Sequence, residues 1–130
     1  MGTALMRLVD ASSWIEFLRG RTSEAGLRVK ALLAKGDAAW CEMTLVELWN
    51  GARGQPEKRA LADLEREVTL YPVNEQVWAL ACSLARACRE NGFTLPSTDI
   101  VVAACARGSN LELEHCDKHF EKILPLAAKI

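Results

Sequence analysis

The sequence predicts an α/β fold in which helices flank a central, mostly parallel sheet of four to five short strands. Three observations predict it. Short apolar runs alternate with longer stretches of helical period, as strands and helices alternate in parallel sheets. Glycine or proline punctuates the boundaries between them, as at Gly20, Gly36, Gly54–Pro56 and Gly92–Pro96. The 130 residues are 50% hydrophobic and 25% charged, which suits one sizeable core. On this reading residues 1–130 form a single domain, without repeat, low-complexity tract or linker.

Leu5–Val9 reads as the first buried strand. Asp10, Ser12 and Ser13 then offer helix caps, and Trp14, Ile15, Phe17 and Leu18 give a short helix its apolar face up to Gly20. A second helix spans about Ser23–Ala34, with Leu27, Ala31 and Leu32 on its apolar side, and Gly36-Asp37 ends it. Ala38–Cys41 is the second strand and Met43–Ala52 the third helix. Gln55-Pro56 opens a fourth helix, in which Leu61, Leu64 and Val68 keep helical spacing. Leu70–Val73 makes a brief third strand whose Pro72 confines it to an edge or an end. Glu75–Glu90 is the clearest helix, with a stripe of Val77, Leu80, Ala81, Leu84 and Cys88 before Asn91-Gly92. Pro96-Ser97 starts a helix that ends near Gly108, and Leu111–His115 is a fourth strand. A short helix over Asp117–Lys122 precedes Leu124-Pro125-Leu126, a candidate last strand.

No apolar run approaches the roughly 20 residues that span a bilayer. Met1–Arg7 lacks the basic start and long apolar stretch of a signal peptide. Cys41, Cys82, Cys88, Cys105 and Cys116 are odd in number and form no CxxC pair, which fits reduced, buried thiols in a cytoplasmic protein. Cys116 is expected among the buried ones. A net charge of −1 gives no basic field, so any nucleic-acid contact must rest on local arginines or a bound metal.

Four acids stand where packing alone would not put them: Asp10, Glu47, Asp99 and Asp117 each border or interrupt an apolar segment. Ionised carboxylates resist burial, so the placement asks for a chemical reason. Ligands of open α/β sheets bind outside the carboxyl ends of the strands. Asp10 follows the first strand, Asp117 the fourth, Glu47 lies near the start of the helix after the second, and Asp99 lies in the first turn of its helix. All four therefore fall on one sheet edge. Oxygen ligands without a cysteine–histidine set select Mg²⁺ or Mn²⁺ over zinc. Such an ion activates water and clamps phosphodiester oxygens. Paired carboxylates also serve glycoside hydrolysis, but four on one edge favour metal-assisted phosphoryl chemistry.

The motifs themselves carry a resemblance. Leu8–Gly20 (LVDASSWIEFLRG) is similar to the opening of a PIN-domain ribonuclease of the VapC toxin type. Thr44–Gly51 (TLVELWNG) resembles that family's second motif, Pro96–Ala104 (PSTDIVVAA) its third, and Asp117–Phe120 (DKHF) its fourth. The four occur in order and at family spacing over nearly the whole chain. The resemblance implies a PIN-like three-layer fold with a five-stranded parallel sheet. It implies a Mg²⁺- or Mn²⁺-dependent endoribonuclease that cleaves RNA with metal-activated water. Asp10 and Asp99 would be the metal ligands, with Glu47 and Asp117 completing the catalytic acids. It also implies a homodimer, and a cognate antitoxin that blocks the site in a heterotetramer or larger assembly. Two positions depart from the family: His115 stands where Ser or Thr is frequent, and His119 where some members carry a further Asp. Both departures imply a single well-held ion.

Each feature also has a plainer reading. Asp10 and Asp99 suit helix N-termini, where negative charge contributes about 0.3–1 kcal/mol. Glu47 suits a helix surface and Asp117 a loop cap. His115 and His119 are candidates to bind metal or phosphate but read first as loop or surface histidines, and Glu16 and Glu42 read as solvated acids. Arg19, Arg21, Arg53 and Arg107 are candidate phosphate contacts. Trp14, Trp40, Trp49 and Trp78 read first as core or interface residues, and a groove involving Trp14, Phe17 or Trp49 is expected to accept an apolar antitoxin segment, followed by a basic side chain in the acidic pocket. A rival function is a non-catalytic PIN-fold module that captures a basic partner in the same pocket. A phosphoaspartate protein would want Asp-x-Asp after the first strand, where the chain has Asp10-Ala11-Ser12.

Overall fold

A computed structural model describes residues 6–130; Leu5, assigned to the first strand, and the leader reading of Met1–Leu5 lie outside the described residues. The order of elements is β1 (Arg7–Val9), α1 (Ala11–Leu18), α2 (Glu24–Lys35), β2 (Ala38–Trp40), α3 (Glu42–Gly51), α4 (Gly54–Glu65), β3 (Thr69–Leu70), α5 (Glu75–Glu90), α6 (Ser97–Gly108), β4 (Glu112–Glu114) and α7 (His119–Ala127). The strands form one four-stranded sheet in the order β3-β2-β1-β4. Every pairing is parallel, with Leu8 opposite Ala39 on one side and Leu113 on the other.

Side-chain alternation along the central strands builds the three layers. Leu8 and Ala39 point into one core, shared with Val77, Leu84, Val102, Phe120 and Ile123 of α5, α6 and α7. Val9, Ala38 and Trp40 point into the other, with Trp14, Val29, Leu48, Leu61 and Leu64 of α1 to α4. Helix α6 is covered almost all round, and every residue from Asp99 to Ala106 is buried. It enters the core with an acid in its first turn.

Several expectations change. Leu124-Pro125-Leu126 is not a strand but lies inside α7, which buries Phe120, Ile123 and Ala127 at helical spacing. Four strands are present among the described residues, within the predicted four to five and one fewer than the resemblance implies. Strand β3 stops before Pro72, which lacks the N–H to continue a ladder; Tyr71 N still reaches Trp40 O at 2.8 Å. Helix α2 buries Ala25, Gly26 and Val29, whereas Leu27 is 55% exposed. Gly26 sets that face, because a Cβ there would stand 2.8 Å from the Arg21 carbonyl oxygen. Helix α4 starts at Gly54, so Pro56 sits in its first turn, where no intrahelical N–H is needed. Cys116 is exposed, as is Cys82, so two of the five thiols escape the expected burial. No helix among the described residues is long and apolar enough to cross a membrane.

The expected groove also changes. Trp14 is fully buried, with its ring centroid 5.0 Å from that of Trp40 and 6.3 Å from that of Phe17. It is a core residue because the first turn of α1 faces Val9 and Trp40, and it cannot line a surface. Phe17 is partly buried against the same core. Trp49 is 40% exposed and its Nε1 donates to Glu65 at 2.7 Å.

Candidate active site

The parallel sheet brings the four predicted acids to one edge. Asp10 follows β1 directly and caps α1. Its backbone N–H donates to Glu114 O at 2.9 Å, which ties it to the end of β4. Oδ2 accepts from Ser12 N at 3.0 Å and from Ser12 Oγ at 2.7 Å. Ser12 Oγ in turn accepts from Cys116 N at 3.1 Å, linking α1 to the loop that carries Asp117. The carboxyl is buried, and its Oδ1 has no hydrogen-bond partner. Capping and site readings of Asp10 are therefore compatible, because they use different oxygens.

Glu47 lies midway along α3, half-buried, with Oε1 enclosed and unpartnered. Desolvation, then the charges of Asp10 and Asp99, push its pKa up to about 7. Asp99 in the first turn of α6 is 5% exposed. Desolvation, then Asp117 and Asp10, raise it to about 6. Burial likewise raises Asp10, with Asp117 adding to the effect. Asp117 is partly buried in the loop between β4 and α7, where Oδ1 accepts from His119 N at 2.9 Å. The mutual repulsion among these groups is the electrostatic signature of convergence.

Two nearby residues have roles the sequence did not reveal. His119 Nδ1 lies 3.0 Å from Asp99 Oδ2 and 3.0 Å from Asp117 Oδ1, so it bridges two of the acids rather than standing free on the surface. The sequence offers metal or phosphate binding by His119 as its lesser reading; the bridge between the two acids is what the structure adds. Glu114, at the end of β4, is 6% exposed and accepts from Arg28 Nε at 2.9 Å and Ser13 Oγ at 3.5 Å. It lies on the acidic edge but already has its cation. His115 is a loop residue: its Nδ1 accepts from Asp117 N at 3.3 Å and its ring packs on Phe120. The candidate arginines scatter. Arg21 pairs with Glu16, Arg19 with Glu57 at 3.5 Å, and Arg107 donates to the carbonyls of Ala127 and Ile130. Glu42 accepts from Val73 N at 2.8 Å.

The donor set fits a hard divalent cation. It offers carboxylate oxygens from four positions, two buried oxygens without partners, and pKa values raised by burial first and like charge second. A cation would relieve that repulsion and pair both oxygens. Ligating atoms of Asp99, Asp117 and His119 all lie within 4.8 Å of one another.

Comparison with known proteins gives the fold its family. The PIN domain model matches residues 7–124. Ribonuclease VapC11 of Mycobacterium tuberculosis is 30% identical over 122 residues, 91% of each chain. Ribonuclease VapC21 of the same species is 30% identical over 100 residues, covering 74% of this chain and 72% of the relative. Among solved structures, VapBC2 from Rickettsia felis, bound to a DNA fragment from its promoter, superposes with a TM-score of 0.76 at 14% identity, over 93% of this chain and 94% of that one. VapBC-1 from nontypeable Haemophilus influenzae gives 0.71 at 20% identity, over 92% and 93%. The chain belongs to the PIN-domain family, among the VapC ribonucleases.

Proposed function

We propose that this chain is a metal-dependent endoribonuclease, the toxin of a toxin–antitoxin pair, built as a single PIN domain over residues 1–130. The observation that carries the reading is the convergence of Asp10, Glu47, Asp99 and Asp117 with unpartnered buried oxygens on Asp10 and Glu47. The names of the relatives, VapC11 and VapC21 ribonucleases, support RNA as the substrate.

Asp10 and Asp99 would hold Mg²⁺ or Mn²⁺, each at a helix N-terminus reached from the sheet edge. When bound, the ion supplies Lewis-acid activation of water and charge stabilisation on the phosphodiester. The protein's own groups position and move protons. Ser12 holds Asp10 by Oδ2 and leaves Oδ1 directed to chemistry. Glu47, raised to about 7, is poised near neutral pH to accept a proton from water at Oε1. Asp117 holds His119 through its Oδ1 and completes the acidic rim.

The solved neighbours include a toxin–antitoxin complex from Klebsiella pneumoniae, with a TM-score of 0.71 and 20% identity. They support a cognate antitoxin for this chain; the homodimer, in a heterotetramer or larger complex, rests on the family resemblance alone. The absence of a membrane-spanning helix among the described residues and five unpaired thiols are in keeping with a cytoplasmic setting.

The test is RNA cleavage by purified, tag-free protein with Mg²⁺ or Mn²⁺, with chelator, and with Asp10→Asn. Cleavage that needs the ion and vanishes in the folded variant supports the reading. A folded wild-type protein that binds a basic partner but neither binds metal nor cuts any RNA offered would favour the non-catalytic module.

A further inference from the structure

His119 is placed to change the metal's coordination. His119 Nδ1 stands 3.0 Å from Asp99 Oδ2 and 3.0 Å from Asp117 Oδ1. A single ring nitrogen carries at most one proton, and one proton cannot give two carboxylate oxygens a full hydrogen bond each. An ion held octahedrally at about 2.1 Å from its ligands separates neighbouring ligand atoms by about 3 Å. The two 3.0 Å spacings match that edge length. The backbone N–H of His119 is already tied to Asp117 Oδ1 at 2.9 Å, so the imidazole is preorganised over the acids. A second observation points to a cation on the same acidic edge. Asp10 is 2% exposed and carries an unpartnered Oδ1, and its charge bears on both Asp117 and Asp99.

We propose that His119 is a direct metal ligand through Nδ1, converting an all-oxygen site into a mixed nitrogen–oxygen site that prefers a first-row transition ion over Mg²⁺. Imidazole nitrogen binds such ions well, whereas Mg²⁺ favours carboxylate, carbonyl and water oxygens. His119 is 46% exposed at its side chain, so the ring has room to pivot as an ion enters. The inference rests on the metal-site reading above and adds a ligand and an ion preference to it.

The experiment uses Mn²⁺ as the probe and tag-free full-length protein. Mn²⁺ binding is followed by electron paramagnetic resonance, and pulsed measurements read ¹⁴N coupling from a coordinated imidazole. Wild type should show the coupling. His119→Asp, which supplies an oxygen donor, should stay folded by circular dichroism, still bind Mn²⁺, and lose the coupling. Its Mn²⁺/Mg²⁺ preference should drop at least about tenfold, the smallest effect usual even for groups one shell further from a metal. His115→Gln should retain the coupling, since that ring packs on Phe120. Mn²⁺ bound by wild type without ¹⁴N coupling overturns the ligand assignment while leaving the metal site standing. Coupling that survives in His119→Asp but vanishes in His115→Gln overturns it as well. No Mn²⁺ binding by folded wild type overturns the metal reading itself, and the ligand assignment with it.

Discussion

At the scale of single residues, Asp10, Glu47 and Asp99 are placed so that folding opposes their ionisation, through burial first and neighbouring charge second. Asp99→Asn removes one charge from the cluster while keeping side-chain shape. Without metal the variant should match or exceed wild type in melting temperature, and it should lose Mg²⁺ and Mn²⁺ binding by calorimetric titration. Unchanged metal affinity would reduce Asp99 to a helix cap. Burial, reinforced by the neighbouring charges, sets a pH dependence. Glu47 rises from an ordinary 4.5 to about 7, and Asp99 from 3.8 to about 6. Across that interval the folded state keeps protons that the unfolded chain has released, so metal-free stability should fall as pH rises from about 4 to about 7. A divalent ion should offset the loss. Thermal melts with and without Mn²⁺ should therefore diverge at pH 7.5 and nearly coincide at pH 4.5. Curves equally separated at both pH values would count against ionisation of these carboxyls as the cause. The acids were legible in the sequence because each contradicts its apolar surroundings. His119 was not, because nothing in Asp-Lys-His distinguishes a ring over the acids from one in solvent; the loop geometry after β4 decides that.

At the scale of elements, helical or strand period was read correctly wherever a segment packs one face on the sheet. Helix α5 follows its predicted stripe, and β1, β2 and β4 lie near their expected positions. Departures arise where contact geometry outweighs pattern. Helix α2 turns its Gly26 face inward because close approach to the Arg21 carbonyl needs a residue without Cβ, which leaves Leu27 outside. Helix α7 runs through Pro125 because burying Phe120, Ile123 and Ala127 together outweighs the one backbone bond that proline forfeits. Trp14 belongs to this scale too. It fills the junction of α1 with β2, against Trp40, and is fully buried. Truncating a buried aromatic of this size typically costs about 3–5 kcal/mol. Trp14→Ala should accordingly lower the denaturation midpoint steeply, with any loss of partner binding following from unfolding. A Trp14→Ala protein that melts like wild type would show that the core does not depend on this ring.

At the scale of the whole molecule, the chain has a net charge of −1 and an acidic edge, so a protein that silences it would bring positive charge to that edge. Helix α3 links this edge to an apolar surface. It carries Glu47 and, on its exposed side, Val46 at 62% and Trp49 at 40% exposure. Val46 and Trp49 are three residues apart, so they share a helix face. An apolar antitoxin segment laid along them would lead a following Arg or Lys toward Glu47 and Asp10. With Trp14 in the core, Trp49 is the aromatic anchor left from the expected groove. Its ring is held in place by the 2.7 Å bond from Nε1 to Glu65, which lowers the entropy cost of using it as a contact. Trp49→Ala should leave the fold and Mn²⁺ affinity near wild type, because the ring is exposed and supplies no donor to the acids. Binding of the protein encoded by the neighbouring reading frame should weaken by about 2 kcal/mol or more, roughly thirtyfold in Kd, if this ring is a hot spot. Titration of the two purified proteins, with Val46→Ala as a companion on the same face, measures it. A neighbour that binds folded Trp49→Ala as tightly as wild type would move the docking surface off α3.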